Sequence, residues 1–189
     1  MIKIGILGDI GSGKSFVAKK FGYPVFCADH EVSKLYKKDK KIFNKLKKKL
    51  PKYIISFPID KKQISNAILA NRFNLKKIEK IVHQKIQKKL RLFLNKNKNK
   101  KIVVLDIPLL LENKINKKND IMIFIDSKKI DISKRLKRRK NHNQKILNRF
   151  KKIQLSLDYK KKKSQFTIKN KFTEKSVKLG IKKILKKII

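Results

Sequence analysis

The stretch GDIGSGKS at residues 8–15 constrains the fold of this chain more than any other feature, because it directly follows the apolar run IKIGIL at residues 2–7. A short, nearly continuous apolar run predicts a strand that is buried on both faces of a parallel sheet. A helix is predicted to begin near Gly13 and to turn three apolar side chains toward the core: Phe16, Val17 and Phe21. This order of strand, glycine-rich loop and helix is typical of a phosphate-binding loop.

The loop satisfies the pattern Gly-x-x-x-x-Gly-Lys-Ser, and each residue type has its own physical use. The glycines let backbone N–H groups point inward at phosphate oxygens, next to the positive end of the following helix. Lys14 has the length to reach the β- and γ-phosphates, and the Ser15 hydroxyl can ligate Mg²⁺. We therefore expect a nucleoside triphosphate to be held by six consecutive residues: Gly11, Ser12, Gly13, Lys14, Ser15 and Phe16. The alternative motif for dinucleotides, G-x-G-x-x-G, is not matched, because Phe16 occupies the position of its last glycine.

Four further apolar runs are predicted to be strands, at residues 23–29, 102–110, 121–126 and, more weakly, 165–170. Apolar residues recur at helical spacing from Leu75 to Phe93, which predicts a long amphipathic helix. A similar stripe makes the C-terminus helical, with Thr173 as its expected cap. Strands that alternate with helices indicate an α/β fold with a doubly wound, parallel, five-stranded sheet. Ligands of such sheets bind at the carboxyl ends of the strands.

The segment from residue 30 to residue 95 is longer than a plain crossover needs, and its pattern is mostly helical. We interpret it as an inserted subdomain. The polar run at residues 95–101 is expected to be a solvated turn.

Charge is the most prominent compositional feature, since 55 basic residues face 13 acidic ones and give a formal net charge of +42. Such a charge taken alone favours a polyanionic partner. However, only six of the basic residues are arginines, and the lysines extend from one end of the chain to the other. This mixture, with its abundant isoleucine and asparagine, is expected from an A/T-rich genome. We therefore expect no specific nucleic-acid partner, but salt-sensitive adhesion to nucleic acid in vitro.

The single cysteine, Cys27, excludes an internal disulfide and a multi-cysteine zinc site, and we interpret it as a small buried apolar residue. No run approaches the roughly 20 apolar residues of a membrane helix. The first residues lack the length and cleavage site of a signal peptide. A soluble, cytoplasmic protein with no membrane partner is expected, as a monomer or a weak homo-oligomer.

Carboxylates at the ends of predicted strands are the candidates for chemistry with an acceptor. Asp29 closes the second predicted strand, where it is placed either to accept a proton from an acceptor hydroxyl or to cap the next helix. Asp106 ends the third predicted strand, either as a second carboxylate that orients Mg²⁺ or as a strand-end residue bonded to backbone. Arginine is scarce here, so the cluster of Arg135, Arg138 and Arg139 favours a flap that neutralises phosphate charge.

Several ordered motifs along most of the chain resemble the dephospho-CoA kinase family. GILGDIGSGKSFVAKKF resembles that family's phosphate loop, VFCADHEVSKLY its V-x-D-A-D segment and LDIPLLLEN its V-P-L-L-F-E signature. The stretch ISNAILANRFNLKKIEKIVHQKI is similar to the family's L-x-H-P-x-I helix, with His83 at the histidine position. RLKRRK and RFKKIQ resemble the lid and the helix that ends at a glutamine, here Gln154, and FTIKN resembles the late strand.

The resemblance implies that the γ-phosphoryl group of ATP is transferred, with Mg²⁺, to the ribose 3′-hydroxyl of dephospho-CoA. It implies that Asp29 is the base, that Lys14 and Ser15 with Mg²⁺ hold the triphosphate, and that Arg139 is the lid arginine. Four residues are implied at the acceptor: Asp29, His83, Pro108 and Leu109. For His83, a helical histidine near the core is an equal alternative, and Glu112 in the signature is either a cap or the partner of a lysine.

The family further implies three parts. These are a nucleotide-binding core at residues 1–29, 96–127 and 164–189, a helical substrate-binding region at 30–95, and a lid with its following helix at 128–163. Some positions depart from the family pattern: Asp9 and Phe16 in the loop, Cys27 at the first aspartate of D-A-D, Gln84 after the histidine and Gln165 before the late strand. Only Asp29 can therefore carry the catalytic role from that segment.

Two alternatives remain open at this point. Another small-molecule kinase with a phosphate loop, such as a nucleoside-monophosphate kinase, shares the loop, core and lid but lacks an element such as DIPLLLE after the third strand. A nucleic-acid-binding module would need an arginine- and aromatic-lined surface, whereas the aromatic residues here mostly occupy core-like periodic positions.

Overall fold

The computed structural model describes residues 1–139 and 142–189, and its centre is one parallel sheet. The strands are β1 (Ile2–Gly8), β2 (Val25–Cys27), β3 (Ile102–Asp106), β4 (Ile121–Asp126) and β5 (Phe166–Lys169). They pair in the order β2-β3-β1-β4-β5, and every pairing is parallel. The predicted fold class, a doubly wound α/β fold with a five-stranded parallel sheet, is confirmed.

Helices connect the strands in the described ranges. They are α1 (Lys14–Lys20), α2 (Ala28–Lys38), α3 (Lys40–Lys49), α4 (Lys61–Ala70), α5 (Arg72–Lys96), α6 (Lys129–Lys137), α7 (Gln144–Ile153), α8 (Leu157–Lys162) and α9 (Glu174–Ile188). The predicted cap of the last helix is confirmed, because Thr173 Oγ1 accepts a hydrogen bond from the Ser176 amide at 3.3 Å. Among the described residues, none of the helices combines the length and the apolar character that a bilayer crossing requires.

Two predicted strands end earlier than expected. The second covers only residues 25–27, because the chain enters α2 at Ala28, and Asp29 therefore lies in the first turn of a helix and not at a strand end. A carboxylate in a first helical turn is favoured by the helix dipole. The third strand ends at Asp106 instead of residue 110, since Pro108 has no N–H to continue the ladder and the chain turns there.

The chain forms two compact units. The sheet unit comprises Met1–Cys27, Asn97–His142 and Ile153–Ile189, and the helical unit comprises Ala28–Lys96 and Asn143–Lys152. Residues 143–152, which the sequence assigned to the lid and its helix, cluster with the helical unit. Lys140 and Asn141, also within the predicted lid, lie outside the described residues. The functional division into core, substrate-binding region and lid stays a prediction.

In the sheet unit, β1 is buried from Ile4 onward and places Ile4 and Ile6 in a core shared with helices α1 and α9. Gly180 of α9 lets this helix approach β5 closely, since a Cβ there would lie 3.0 Å from Ile168 Cγ2. The prediction that Phe16 faces the core is wrong: its side chain is 38% exposed, and the Lys20 ammonium lies 5.5 Å from its ring centre. Phe16 and Val17 are successive residues about 100° apart around a helix, so only one of them can face the sheet.

In the helical unit, α5 is the long amphipathic helix that the spacing predicted. Its buried stripe packs against α2, α3 and α4 and contains Leu75, Ile78, Val82, Ile86 and Leu90. Two ion pairs join its polar side to neighbouring helices, from Lys89 Nζ to Glu31 Oε2 at 2.8 Å and from Lys85 Nζ to Asp39 Oδ2 at 3.1 Å. Apolar packing and surface ion pairs thus stabilise the same set of helices.

Candidate functional site

The loop at residues 8–15 follows β1, the central strand of the sheet, at its carboxyl end. Gly11 and Gly13 adopt positive φ angles of 88° and 90°, which side chains rarely tolerate. A Cβ at Gly13 would lie 2.5 Å from Asn170 Nδ2, and one at Gly11 would lie 3.0 Å from Leu136 Cγ in α6. Both the backbone conformation and the close neighbours therefore require glycine at these two positions.

Helix α1 begins at Lys14 with Gly13 as its N-cap, and no side chain of the described residues caps it. The amides of its first turn belong to Lys14, Ser15 and Phe16, and amides of a first turn have no partner within their own helix. Such amides, together with the positive end of the helix dipole, favour an anion. The expected phosphate cradle stays a prediction, in which Phe16 would take part through its backbone amide, since its side chain is exposed.

Lys14 lies across the loop that precedes it. Its Nζ donates hydrogen bonds to the carbonyl of Gly8 at 3.1 Å and to that of Asp9 at 2.7 Å. The ammonium group is thereby kept on the same side as the loop amides, where a phosphate oxygen is a stronger, charged acceptor than either carbonyl. The Ser15 side chain is exposed, so its hydroxyl is accessible to an ion held by phosphates.

Ser12 anchors the loop to two other strands. Its carbonyl accepts hydrogen bonds from Ser127 Oγ, just after β4, and from Asn170 Nδ2, just after β5, both at 2.9 Å. Its own Oγ is buried and has no partner among the described residues. A buried hydroxyl without a partner is uncommon and is consistent with a loop that is completed by a ligand.

Sequence reasoning missed Ser127 as an anchor and mentioned Asn170 only as the end of the late strand. The available signal was their position, because a polar residue directly after a parallel strand lies at the same sheet edge as the loop.

Arg135 is the member of the arginine cluster whose contacts lead to the loop. Its guanidinium lies 4.4 Å from the centre of the Phe172 ring. Phe172 has a positive φ of 58°, its amide donates to Asn170 Oδ1 at 2.8 Å, and its ring would lie 3.4 Å from a Cβ at Gly13. Arg138 and Arg139, which like Arg135 are exposed, directly follow the last residue of α6. The predicted lid role of Arg139 stays a prediction, and Arg135 is a second candidate.

The turn after β3 carries the other predicted residues of the sheet unit. Asp106 is 4% exposed and is the last residue of β3, in register with Cys27 of β2. Pro108 and Leu109 follow in the turn and are half-buried. Glu112, whose role the sequence left open, pairs with a lysine: its Oε1 lies 2.8 Å from Lys160 Nζ.

The helical unit holds Asp29, His83 and Arg149. Asp29 is exposed in the first turn of α2. His83 is half-buried on α5, and the Gln87 amide group lies 2.7 Å from its Nε2, which fits an accepting ring nitrogen. Arg149 on α7 donates from Nη2 to the Leu69 carbonyl at 2.8 Å. Their roles toward an acceptor stay predictions.

Burial raises the pKa values of three carboxyl groups in the helical unit, whereas neighbouring lysines lower them. Burial raises the pKa of Glu31, but hydrogen bonds from Lys34 and Lys89 outweigh it, and the pKa is lowered overall. The pKa of Asp39 is lowered overall in the same way, against its burial, by the Ile42 amide and Lys85. Burial raises the pKa of Glu79, and burial together with Glu79 raises that of Tyr36.

No group of three or more His, Cys, Asp or Glu residues that could hold a metal ion occurs among residues 1–139 and 142–189. A magnesium ion bound mainly by substrate phosphates needs only one or two protein oxygens. The Ser15 hydroxyl and the Asp106 carboxylate stay the predicted protein oxygens for such an ion.

Comparisons with known proteins agree with this geometry. A family model described as dephospho-CoA kinase matches residues 2–175. The dephospho-CoA kinase of Wolbachia pipientis wMel is 36% identical over 187 residues, which cover 96% of this chain and 95% of the relative.

Two solved structures have the same fold. A crystal structure from Thermus thermophilus has a TM-score of 0.75 at 23% identity and covers 100% of this chain and 98% of its own. Dephospho-CoA kinase from Campylobacter jejuni has a TM-score of 0.64 at 22% identity, with 98% and 96% covered. Because the family model and a 36% identical relative both span nearly the whole chain, this chain belongs to the dephospho-CoA kinase family.

Proposed function

We propose that this protein transfers the γ-phosphoryl group of ATP to the ribose 3′-hydroxyl of dephospho-CoA and releases coenzyme A and ADP. The observation that carries the proposal is a complete phosphate loop, in its expected structural setting, within a chain that matches the family over residues 2–175. The acceptor follows from the family and not from the loop, because every kinase of this fold class needs such a loop.

In this proposal the residues from Gly11 to Phe16 hold the β- and γ-phosphates through backbone amides, and Lys14 moves from the loop carbonyls to phosphate oxygens. Phosphoryl transfer depends mainly on position and charge neutralisation, so a fixed cradle supplies much of the catalysis. When bound, Mg²⁺ neutralises phosphate charge, and Ser15 with Asp106 would hold it. Arg139, with Arg135 as the alternative, adds positive charge from the helical segment after β4.

Asp29 is proposed to orient the acceptor hydroxyl and to accept its proton. Its support is its match to the family's catalytic aspartate and its chain position, two residues beyond the end of β2. His83, Pro108 and Leu109 are proposed to contact dephospho-CoA. Their support is the same alignment of motifs, together with the half-buried state of all three side chains.

The test is an assay of ADP release with ATP and Mg²⁺ against a panel of acceptors. Dephospho-CoA is expected to be phosphorylated on its 3′-hydroxyl, which mass spectrometry of the product identifies. Phosphorylation of a nucleoside monophosphate with none of dephospho-CoA would support the nucleoside-monophosphate kinase alternative and overturn the proposal.

Two variants then separate the roles of the residues. Asp29→Asn is expected to retain ATP affinity within about two-fold and to lose at least roughly 100-fold in kcat, because only proton transfer and acceptor alignment are removed. Lys14→Ala is expected to weaken both ATP binding and turnover. The matched control is Asp158→Asn, an exposed aspartate in the first turn of α8. Equal turnover of the Asp29→Asn variant and the control would remove Asp29 from its proposed role.

A further inference from the structure

Lys160 on α8 is the most deeply buried basic side chain among the described residues, with 1% exposure. Its ammonium lies 2.8 Å from Glu112 Oε1 and donates to Gln154 Oε1 at 3.2 Å. Glu112, whose side chain is 9% exposed, also accepts a hydrogen bond from the Leu155 amide at 3.0 Å. These contacts join the turn after β3 to the chain that enters α8, and we call the Glu112–Lys160 contact the buried ion pair.

The buried ion pair attaches that turn to α8. A second attachment, to β1, is Leu110, which is fully buried and packs where Gly5 has no side chain, since a Cβ there would lie 2.8 Å from Leu110 Cδ2. Between them the turn closes on itself through hydrogen bonds from the amides of Asn113, Lys114 and Ile115 to carbonyls of residues 109–111. Pro108 and Leu109 therefore lie between the end of β3 and these two attachments.

Stability alone does not account for this pair. Replacement of a buried ion pair by apolar side chains of similar volume is often neutral or stabilising, because two charges lose their hydration when they are buried. In addition, Glu112 Oε2 is buried and has no hydrogen-bond partner among the described residues. A buried carboxylate with one unsatisfied oxygen costs more free energy than an apolar side chain of the same size. A charged hydrogen bond, however, has a strict distance and direction, so it can fix the position of the turn.

We propose that Glu112 and Lys160 are positioning residues, which fix the turn after β3 so that Pro108 and Leu109 are held in the place where they receive the acceptor. The acceptor part of this inference rests on the proposed function. Neither residue touches a reacting atom in this account, and Lys160 acts through Glu112. Gln154 and the Leu155 amide complete the arrangement from the other side.

The experiment uses the full-length double variant Glu112→Leu/Lys160→Met, which removes both charges and keeps apolar bulk. Its melting temperature is expected to stay close to that of the unaltered protein. The amides of Asn113, Lys114 and Ile115 are expected to exchange hydrogen at least about tenfold faster, which reports local opening of the turn. The KM for dephospho-CoA is expected to rise at least about tenfold while that for ATP changes less than about two-fold.

The matched control is Lys178→Met, which removes an exposed lysine from its pair with Glu174 on α9, leaves the Glu174 pair with Lys20 of α1 in place, and is expected to leave all three readouts unchanged. Unchanged amide exchange in the double variant, or an unchanged KM for dephospho-CoA, overturns the proposal. If the unaltered protein fails to phosphorylate dephospho-CoA, the proposed function fails, and the exchange rates alone decide whether the pair positions the turn. Should the double variant not fold, Glu112→Gln replaces it with the amide-exchange and KM criteria alone, because it retains an oxygen opposite Lys160 but leaves that buried charge without a counter-ion and is expected to lower the melting temperature.

Discussion

The phosphate loop and the helical unit are held in shape by different kinds of contact. The loop is anchored to the ends of β4 and β5 by hydrogen bonds from neutral groups, from Ser127 and Asn170 to the Ser12 carbonyl, and its glycines leave no space for a side chain. In the helical unit, apolar stripes are supplemented by lysine–carboxylate pairs at Glu31 and Asp39, with partly exposed lysines. Neutral buried contacts are insensitive to salt, whereas exposed ion pairs are screened by it. The loop geometry should therefore be constant over conditions that loosen the helical unit.

The largest effect is expected at the loop, from Gly13→Ala. The new Cβ meets Asn170 Nδ2 at 2.5 Å and the backbone has a positive φ, so the cradle must deform. ATP affinity should fall at least roughly 100-fold, because several amide contacts are lost together. Isothermal titration calorimetry measures this directly.

Gly22→Ala is the matched control for that variant. Its φ of 76° carries the same backbone strain, about 1–2 kcal/mol, with no atom within 4 Å of the new Cβ. It should lower stability without a change in ATP affinity. Equal ATP affinity in the two alanine variants would mean that the close contact at Gly13 does not shape the cradle.

The next largest effect is expected in the core of the helical unit. Leu46 on α3 is fully buried, so Leu46→Ala should lower the free energy of unfolding by about 2–5 kcal/mol. Urea denaturation measures the loss, and Ile55→Ala, at a side chain that is 67% exposed, is the control. ATP affinity below the transition should change less than about two-fold if the loop is specified by its own unit. A larger change would break the separation between the two units.

Asn170→Ala tests the neutral anchor of the loop. It removes the donor to the Ser12 carbonyl and the acceptor for the Phe172 amide, so a loss of about 1–3 kcal/mol in stability and a roughly tenfold weaker ATP affinity are expected. Lys169→Ala, at the exposed neighbouring residue, is the control. Both losses should be the same at low and high salt. A strong salt dependence would contradict the neutral character assigned to this anchor.

Glu31→Gln tests the ionic contacts of the helical unit and should cost about 0.2–1 kcal/mol at low salt and little at about 1 M salt. The pKa of Glu31 is lowered from 4.5 overall by Lys34 and Lys89, against its burial. Its contribution to stability is therefore present above its unfolded pKa and is lost as the pH falls through the folded pKa. Thermal denaturation at several pH values should show the variant and the parent converging in acid.

The smallest effect, of opposite sign, is expected from Glu79→Gln. Burial raises the pKa of Glu79 above 4.5, only partly offset by Lys76, so its ionisation costs stability as the pH rises through the folded pKa. The glutamine variant should melt slightly higher than the parent at about pH 7 and equally at about pH 3, where the glutamate is neutral in both the folded and the unfolded state. A lower melting temperature at neutral pH would show that the carboxylate is stabilised in the fold.

Local patterns predicted the parts of this fold that depend on neighbouring residues. The strand, loop and helix of residues 2–20, the stripe of α5 and the cap at Thr173 follow from spacing and residue type. The loop anchors did not follow, because Ser127 and Asn170 are separated from Ser12 by 115 and 158 residues in the chain. Such meetings depend on strand order, which no local pattern encodes.

The partner of Glu112 was equally unpredictable. Lys160 is the first of four consecutive lysines at residues 160–163, and the sequence gives no reason to choose one of them as the partner of Glu112. Its burial is a result of its place on α8, which packs against β1. The position of Lys160 on α8 buries this lysine and leaves the other three exposed, a difference that the sequence alone does not show.

The seclusion of Lys160 makes it a natural reporter of opening in the sheet unit. An amine-reactive reagent should acylate the many exposed lysines first, whereas the buried amine at position 160 reacts only in molecules in which α8 has opened. The labelling rate at that single site, read by peptide mass spectrometry, would then report how often this part of the sheet unit opens.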